Sequence, residues 1–494
     1  MAASFVHYWK SPLTSSRAMS TLFGVFALYL AVGVVVASAS CPNMAPTTHY
    51  GGGNPSSPNL PVPCTGKPIN CATGNESETQ TDVMVGGRGP KLGVTRSYNS
   101  LLAVTQGEHS EHGSFGYGWT GPYTASLSTT SETATVNQDN GSTATFYLKE
   151  SKYTTEPWVE SKLVKEGTNY IFTLPDQSKL EFNSSGQLVK ETDRNGNKLT
   201  LTYNAKKQLE TVEDGAARKL TFTYNGEGLV ESVKDPMGRT VKYTYASGNL
   251  ASVTLPGEEK ARWKFEYNAS HEITLMTDGR SHSIKMEYDA SHRVSMQKDA
   301  LERERKLSYK ALEGNALETT ITEPNGSKTV ELFNAADEPT EETRASGTEI
   351  AATTKYVYDE VTSFAMTLKT DPNEHSTEYA YDSEGNKIKE KDANGNETKW
   401  KYTSTHDIET ETSPKGEVTT TKYDAKGNPE VVERTVGGKK QETKFKHAEN
   451  GDLTEETDAL ANKTESNTTR RGIAKAKRTP KATSARGNTT RIPK

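Results

Sequence analysis

Tyrosine recurs in this chain at a fixed interval, and that interval restricts the fold more than any other feature. Tyr203, Tyr224, Tyr245, Tyr267, Tyr288 and Tyr309 follow one another at 21, 21, 22, 21 and 21 residues, and Phe182 lies 21 residues before the first. The register loosens after Tyr309 and returns at Tyr358, Tyr381, Tyr402 and Tyr423. A period of about 20 residues marks a repeat architecture, in which each unit packs mainly on its neighbours.

The content of a unit names its secondary structure. A large apolar residue stands two positions before the marker: Leu201, Phe222, Tyr243, Phe265, Met286, Leu307, Tyr356, Tyr379 and Trp400. Residues i and i+2 share one face of a strand, so each unit sets a pair of large groups on one side. After the marker comes a polar turn such as "NGEG", "ASGN", "DSEGN" or "DAKGN". A second short strand follows, carrying Leu209 and Val212, Val230 and Val233, or Leu250 and Val253. A further turn closes the unit, as in "DRNGN" at Asp193, "DPMGR" at Asp235 and "DANGN" at Asp392. Asn-Gly at Asn195, Asn225 and Asn394 suits turns that need a positive φ. The unit is therefore two strands and two turns, and stacked units make one continuous antiparallel sheet. In "KLTLTY", "TVKYTY" and "ETKWKY" polar residues alternate with apolar ones, so one face is wet and one packed. No segment of the repeats sustains a helical apolar period.

Composition agrees with a thin-walled repeat. Only 32% of the 494 residues are hydrophobic and 25% are charged, a lean supply for a single thick core. Disorder is the competing reading, but 22 tyrosines, many in register, argue against it. The net charge of −5 hides an asymmetry, because residues 470–494 hold nine Lys and Arg and no acid. The body is acidic and only the tail is basic.

The order of segments points to export. Lys10 and Arg17 precede an uncharged apolar run from Thr21 to Val36, and Ala37-Ser38-Ala39 offers small residues for cleavage. Residues 1–39 read as a signal peptide cut after Ala39, or as an anchor held through residues 21–40. Residues 40–80, with "HYGGGNPSSPNLPVPCTGKP", read as a flexible linker. Residues 81–180 read as a domain of short β segments, with Asn140-Gly141 as a hairpin turn. Repeats occupy 181–468 and a degenerate basic tail 469–494. The three cysteines are Cys41, Cys64 and Cys71. An oxidising compartment would allow Cys64 and Cys71 to pair across their short loop.

The units "YNAKKQLETVEDGAARKLTFTY", "YNGEGLVESVKDPMGRTVKYTY" and "YDSEGNKIKEKDANGNETKWKY" resemble the YD repeats of Rhs proteins, insecticidal toxin-complex shells and teneurins. Upstream, "CATGNESETQTDVMVGGRGPKLGVTRSYNS" and "GSFGYGWTGPYTASLS" resemble the domain that precedes the repeats in bacterial Rhs proteins. Together the resemblances run from about Lys67 to Thr468. They imply an all-β chain whose antiparallel hairpins stack into a spiralling sheet or partial β-shell, preceded by a small β-rich domain. Some relatives enclose a C-terminal toxin segment; others sit at the cell surface and bind partners or glycans. The Asp/Gly-rich motif at which toxin-carrying relatives cut themselves is not seen before Lys494, so self-cleavage and an enclosed toxin are not carried over.

No constellation of residues reads as a catalytic, cofactor-binding or metal site. His271 and His292 share one phase of successive units, with His282 on the opposite turn, but "ASHE" and "ASHR" read as exposed turns. His109 and His112 in "GEHSEHGSFG" read as a loop. Asp193, Asp235, Asp299, Asp371 and Asp392 recur with the repeat, which is turn chemistry, whereas a catalytic carboxylate pair is singular and desolvated. The tyrosine ladder reads as the packed inner face, with sugar stacking as the competing reading. The basic tail has no aromatic residue for base stacking and reads as eroded repeats, which argues against nucleic acid as a partner. The expected function is that of a non-catalytic exported scaffold acting in cell-surface interaction, with a protein or glycan partner. The N-terminal segment would engage the export machinery or membrane. The alternatives are the leading portion of an Rhs-type toxin-delivery shell and an envelope glycan hydrolase.

Overall fold

The computed structural model describes residues 69–139, 143–155, 159, 161–359, 365–468 and 474–479, with 467–468 and 474–479 described by backbone alone. The export segment, Cys41, Cys64 and most of the basic tail lie outside the described residues.

The first strands form a small sheet. β1 (Ser77–Val85) pairs antiparallel with β2 (Leu92–Asn99), which pairs with β3 (Trp119–Thr120). Residues 69–76, placed in the linker from sequence, are packed: Ile69 is fully buried and Cys71 is buried and disulfide-bonded. Between β2 and β3 the chain forms α1 (Ser100–His109), where the sequence suggested only short β segments. The Asn99 side chain caps it by accepting the N–H of Leu102 at 2.9 Å, and Ser110 ends it in the left-handed region at φ 55. A four-stranded antiparallel meander follows: β4 (Ser126–Thr129), β5 (Thr133–Asn137), β6 (Thr143–Lys149) and β7 (Lys152–Thr154). β5 and β6 pair on either side of the turn expected at Asn140-Gly141.

From β8 (Lys162–Glu166) onward the described residues make one sheet of 30 strands, each antiparallel to the next in sequence. It begins with β9 (Asn169–Thr173), β10 (Lys179–Phe182), β11 (Leu188–Thr192) and β12 (Lys198–Tyr203) and runs to the strand Ala474–Thr479. Its one interruption by helix is a single turn at Glu313–Asn315. The marker tyrosines end or nearly end their strands, as the spacing implies: Tyr203, Tyr224, Tyr267, Tyr288, Tyr358, Tyr381, Tyr402 and Tyr423 are final residues.

The turns owe their shape to the first residue. Asp193 Oδ1 accepts the backbone N–H of Asn195 and Asn197 at 2.9 and 2.8 Å, and the Asp193 N–H donates to the Asn197 carbonyl. The fourth residue takes a left-handed conformation, as in Gly196 (φ 85). Asn225 opens its own turn in the same way, so the left-handed residue there is Gly228 and not the neighbouring Gly226. The Asn-Gly pair expected to be the bend at that position is therefore only its first half.

Every marker tyrosine except Tyr309 sits just past a register shift, and most reach back one unit. The Tyr203 hydroxyl donates to the Leu188 carbonyl at 2.6 Å, 15 residues earlier. Tyr224, Tyr245, Tyr288, Tyr309, Tyr381, Tyr402 and Tyr423 repeat the bond at the same separation. Depth is supplied by the residue two before. Tyr243 is 3% exposed, whereas Tyr245 is half-buried and rests on the core. Across the strand pair, Leu201, Phe222, Tyr243 and Phe265 face Val212, Val233, Val253 and Met276.

The sheet also curls back on itself. Arg194, in the turn after β11, grips Asp407 in a two-pronged ion pair at 2.9 and 2.7 Å and donates to the Lys426 carbonyl at 2.7 Å. Asn428 bonds Asn195, and Asn197 bonds the Asn450 carbonyl. Turns more than 200 residues apart in sequence meet at this seam.

Tyr245→Phe removes the donor to Val230 and keeps the ring, so it should cost about 1 kcal/mol. Tyr147→Phe, at an exposed strand position, should be neutral. Hydrogen exchange along Val230–Lys234 reads the difference; equal protection in both variants would show that the hydroxyl bond couples nothing.

Candidate binding face and junction cavity

The apolar face of the sheet divides into two zones. Over the first, the N-terminal domain is packed into the repeats as one core. Trp119 stacks edge-on to Phe265 at 5.1 Å and donates its indole N–H to the Tyr267 hydroxyl at 2.9 Å. Phe115 meets Tyr243 at 5.5 Å, and the Tyr98 hydroxyl donates to the His271 carbonyl. A buried charge pair locks the contact. Arg96 is fully buried and donates to both Asp82 oxygens at 2.5 and 2.9 Å. The Tyr243 hydroxyl donates to the same carboxylate at 2.8 Å, and the guanidinium lies 4.6 Å above the Trp119 ring.

Over the second zone the same face has no such cover among the described residues. Aromatic residues keep the phase, but their cross-strand partners are charged: Tyr356 faces Lys369, Tyr379 faces Glu390, Trp400 faces Glu411 and Phe445 faces Glu456. All four aromatics are half-buried. Lys387 lies 4.8 Å from the Trp400 ring and 5.6 Å from Tyr379 while pairing with Glu390 at 2.6 Å. The result is a mixed wall of rings and charges, suited to polar ligands and to hydrated polypeptide.

Between the small sheet and strands β10 and β11 lies a cavity of about 770 Å³, lined by Thr79, Thr95, Tyr123, Lys179, Glu191 and Arg194 among others. Glu191 is 6% exposed, and burial, followed by the charge of Asp139, pushes its carboxyl up to about 8. The sequence pattern does not single it out: Glu191 stands three residues after Leu188, and the same place in later units holds Val212, Val233 and Val253 but also Gln297, Glu390 and Glu411.

The histidines and aspartates singled out from sequence have structural partners. His271, His292 and His406 occupy left-handed turn positions, and each Nδ1 faces a side-chain oxygen of an earlier turn: Asn249 at 3.1 Å, Glu272 at 3.3 Å and Asn386 at 3.0 Å. His271 also stacks on Tyr117 at 3.7 Å, and burial lowers its pKa. His292 is thus tied to a buried carboxylate and is not a free turn residue. His282 faces Asp278 in its own turn. His109 is exposed at the end of α1, and His112 packs edge-on against Tyr117. Asp193, Asp235, Asp299, Asp371 and Asp392 all accept two backbone N–H groups of their own turns. The hydrogen bond from Arg303 holds Asp299 down at about 2. Of the basic tail, residues 474–479 form a strand paired with Lys463–Thr468.

Residues 66–146 match a family model described as "Domain of unknown function (DUF6531)", and residues 171–274 match the teneurin YD-shell. A stretch of 136 residues is 32% identical to the tRNA nuclease WapA of Bacillus subtilis and to the tRNA3(Ser)-specific nuclease WapA of Bacillus spizizenii. That match spans 27% of this chain and only 6% of the length of each curated relative. Among solved structures, TcdB2-TccC3-Cdc42 covers 81% of this chain and 24% of its own at 10% identity and a TM-score of 0.41. The Photorhabdus luminescens Tc holotoxin pore covers 83% and 28% at 11% identity and 0.40.

Asp82→Ala leaves Arg96 buried without its carboxylate and should cost about 3–5 kcal/mol. Replacing both, as Asp82→Leu with Arg96→Met, should recover most of that loss, read by thermal melting. A double variant as unstable as the single one would mean that the pair's hydrogen bonds to Tyr243 and Gln80 matter more than its charge.

Glu331 faces Glu342 across the strand pair, and burial, then that neighbour, raises its carboxyl to about 7. The folded chain holds this proton more tightly than the unfolded one. Its contribution is therefore complete below the unfolded value near pH ~4.5 and is lost as pH rises through about 7. Glu331→Gln should gain stability over the parent between about pH 5 and 8 and match it in more acid solution. A constant offset across that range would contradict the assignment.

Proposed function

We propose, on the premise that this chain belongs to the Rhs/YD-repeat family, that it works as an exported, non-catalytic shell-type scaffold whose second-zone face receives a partner at the cell surface. The scaffold role rests on the repeats themselves and on the matched teneurin YD-shell. The observation that carries the binding role is the change of partner residue along one face. Where the N-terminal domain covers the sheet, aromatics face Val and Met; where it does not, they face Lys and Glu. A face meant only for solvent would not keep Tyr356, Tyr379 and Trp400 in phase, and a face meant for a dry core would not admit Glu390 and Glu411. Aromatic rings beside hydrogen-bonding groups suit a glycan or an extended polypeptide.

A second reading has its own support. The 136-residue match to the WapA nucleases favours the leading portion of a toxin-delivery shell, with the wall enclosing a polypeptide payload. Sequencing the gene beyond Lys494 separates the two readings, because a self-cleavage motif followed by a toxin-like frame would favour delivery.

The scaffold reading is tested with the full chain on a glycan array and on intact cells. Retention should fall at least tenfold in Tyr379→Ser/Trp400→Ser while the melting temperature stays within a few degrees, and bound ligand should be recovered unaltered. Cleavage of the ligand, or retention unchanged in the double variant, would overturn it.

A further inference from the structure

The seam at which the sheet curls back on itself has a third member. Arg194 holds Asp407 and the Lys426 carbonyl, Asn195 holds Asn428, and Asn197 holds the Asn450 carbonyl. The loop that joins β1 to β2 enters the same seam from the N-terminal domain. The Arg218 guanidinium donates to the Gly86 carbonyl at 2.5 Å, and Arg88 pairs with Asp452 at 2.5 Å. A Cβ at Gly89 would run into the Asn197 side chain. The loop therefore touches the first units on one side and a late unit on the other.

What holds this seam differs in kind from what holds the units. Among the described residues the buried apolar clusters reach no further than Phe333, so hydrophobic packing does not fasten residues 403–452 to the first repeats. The side chains of the two ion pairs that do so keep between 17% and 28% of their surface in water. Ion pairs of that kind contribute little each and are screened by salt. The turns also keep their own bonds when they part. Asp193 and Asp424 each accept two backbone N–H groups of their own turn, and the Ala448 N–H donates to the Asp452 carbonyl. Parting the rims exposes polar turns that water can solvate, and it gives up no apolar burial. Each strand of the wall meanwhile stays bonded to its neighbours. A weak polar seam between stiff, self-sufficient arrays is the place where such a structure opens first.

We propose that the seam is an ionic latch: the Arg194–Asp407 and Arg88–Asp452 pairs hold the wall curled, and their release lets the late repeats swing away from the first ones with every unit still folded. The β1–β2 loop is the catch, because Arg88 reaches the late turn while the loop backbone is held by Arg218 of an early one. Gly427 shows how close the closed form is. A Cβ there would overlap the Arg194 guanidinium. The turn itself accepts side chains at that place, as His271, His292 and His406 show at φ 65, 62 and 63. The inference is independent of what the second-zone face binds.

Small-angle X-ray scattering and far-ultraviolet circular dichroism of the full chain are compared as sodium chloride rises from about 50 mM to about 1 M, where screening acts within about 3 Å. The radius of gyration of the parent should increase by several ångströms, because 30 strands at a spacing of about 4.8 Å give the wall a long contour. The strand signal should stay constant, and dialysis to low salt should restore the compact form. Screening of the net charge of −5 acts in the opposite sense, so expansion reports the latch. Asp407→Asn/Asp452→Asn should be expanded already in low salt and lose most of the response. Gly427→His, which keeps the turn and blocks Arg194, should behave like that double variant. Gly395→His makes the same change in a turn where a Cβ meets nothing within 4 Å, and it should behave like the parent. A parent whose dimensions ignore salt overturns the proposal, as does a salt response that survives in Asp407→Asn/Asp452→Asn. Expansion accompanied by loss of strand signal also overturns it, since units would then be unfolding and not swinging apart.

Discussion

The hydrogen bond from eight of the marker tyrosines to the carbonyl 15 residues before them is the interaction on which the rest of this sheet depends. A strand pair by itself is a marginal structure in water. The tyrosine adds a contact that spans an entire hairpin, because its ring lies on the core while its hydroxyl reaches the first residue of the strand one unit back. Tyr203 thus holds the start of β11, Tyr224 the start of the strand Leu209–Asp214, and Tyr245 the start of Val230–Lys234. Single bonds of this kind contribute only about 1 kcal/mol. Repetition makes them cooperative, since each unit is positioned by the one before and positions the one after.

A ladder that couples only neighbours leaves one face to be finished by something else. The N-terminal domain finishes it over the first zone, with Trp119, Phe115 and Tyr98 filling the space above Tyr243, Phe265 and Tyr267. The buried Arg96–Asp82 pair adds specificity of placement more than stability, because the cost of burying two charges offsets most of their attraction. Over the second zone the sequence compensates differently, by placing charged groups opposite the aromatics. Lys387 with Glu390, and Glu411 with the Trp400 indole, satisfy polar groups locally where no second layer excludes water.

Much of this was legible from residues alone. The 21-residue spacing and the pair at i and i−2 led to hairpins, and the turn aspartates led to locked turns, because both depend on residues within one unit. The misreadings have local causes too. α1 was missed because Ser100–His109 is short and mostly half-buried and shows little amphipathic pattern. Tyr245 was expected deeper than it lies because pattern reveals which face a residue is on but not that its hydroxyl must stop at a carbonyl. His292 looked like a free turn residue because its partner Glu272 belongs to another turn. Glu191 was not legible from the pattern, because Gln297, Glu390 and Glu411 hold the same place in other units and only the layer packed above decides that Glu191 is buried.

Sequence by itself determined the unit: two strands, two turns, a packed face and a wet one, repeated from Phe182 to the last described strands. These follow from backbone chemistry and side-chain alternation, which act over a few residues. Tertiary structure alone decided which half of the packed face is covered, which carboxylate is stranded in a cavity, and that Arg194 meets Asp407. Those outcomes depend on the small twist accumulated from strand to strand over some twenty strands. No residue encodes that sum, so contacts more than 200 positions apart leave no periodic trace in the sequence.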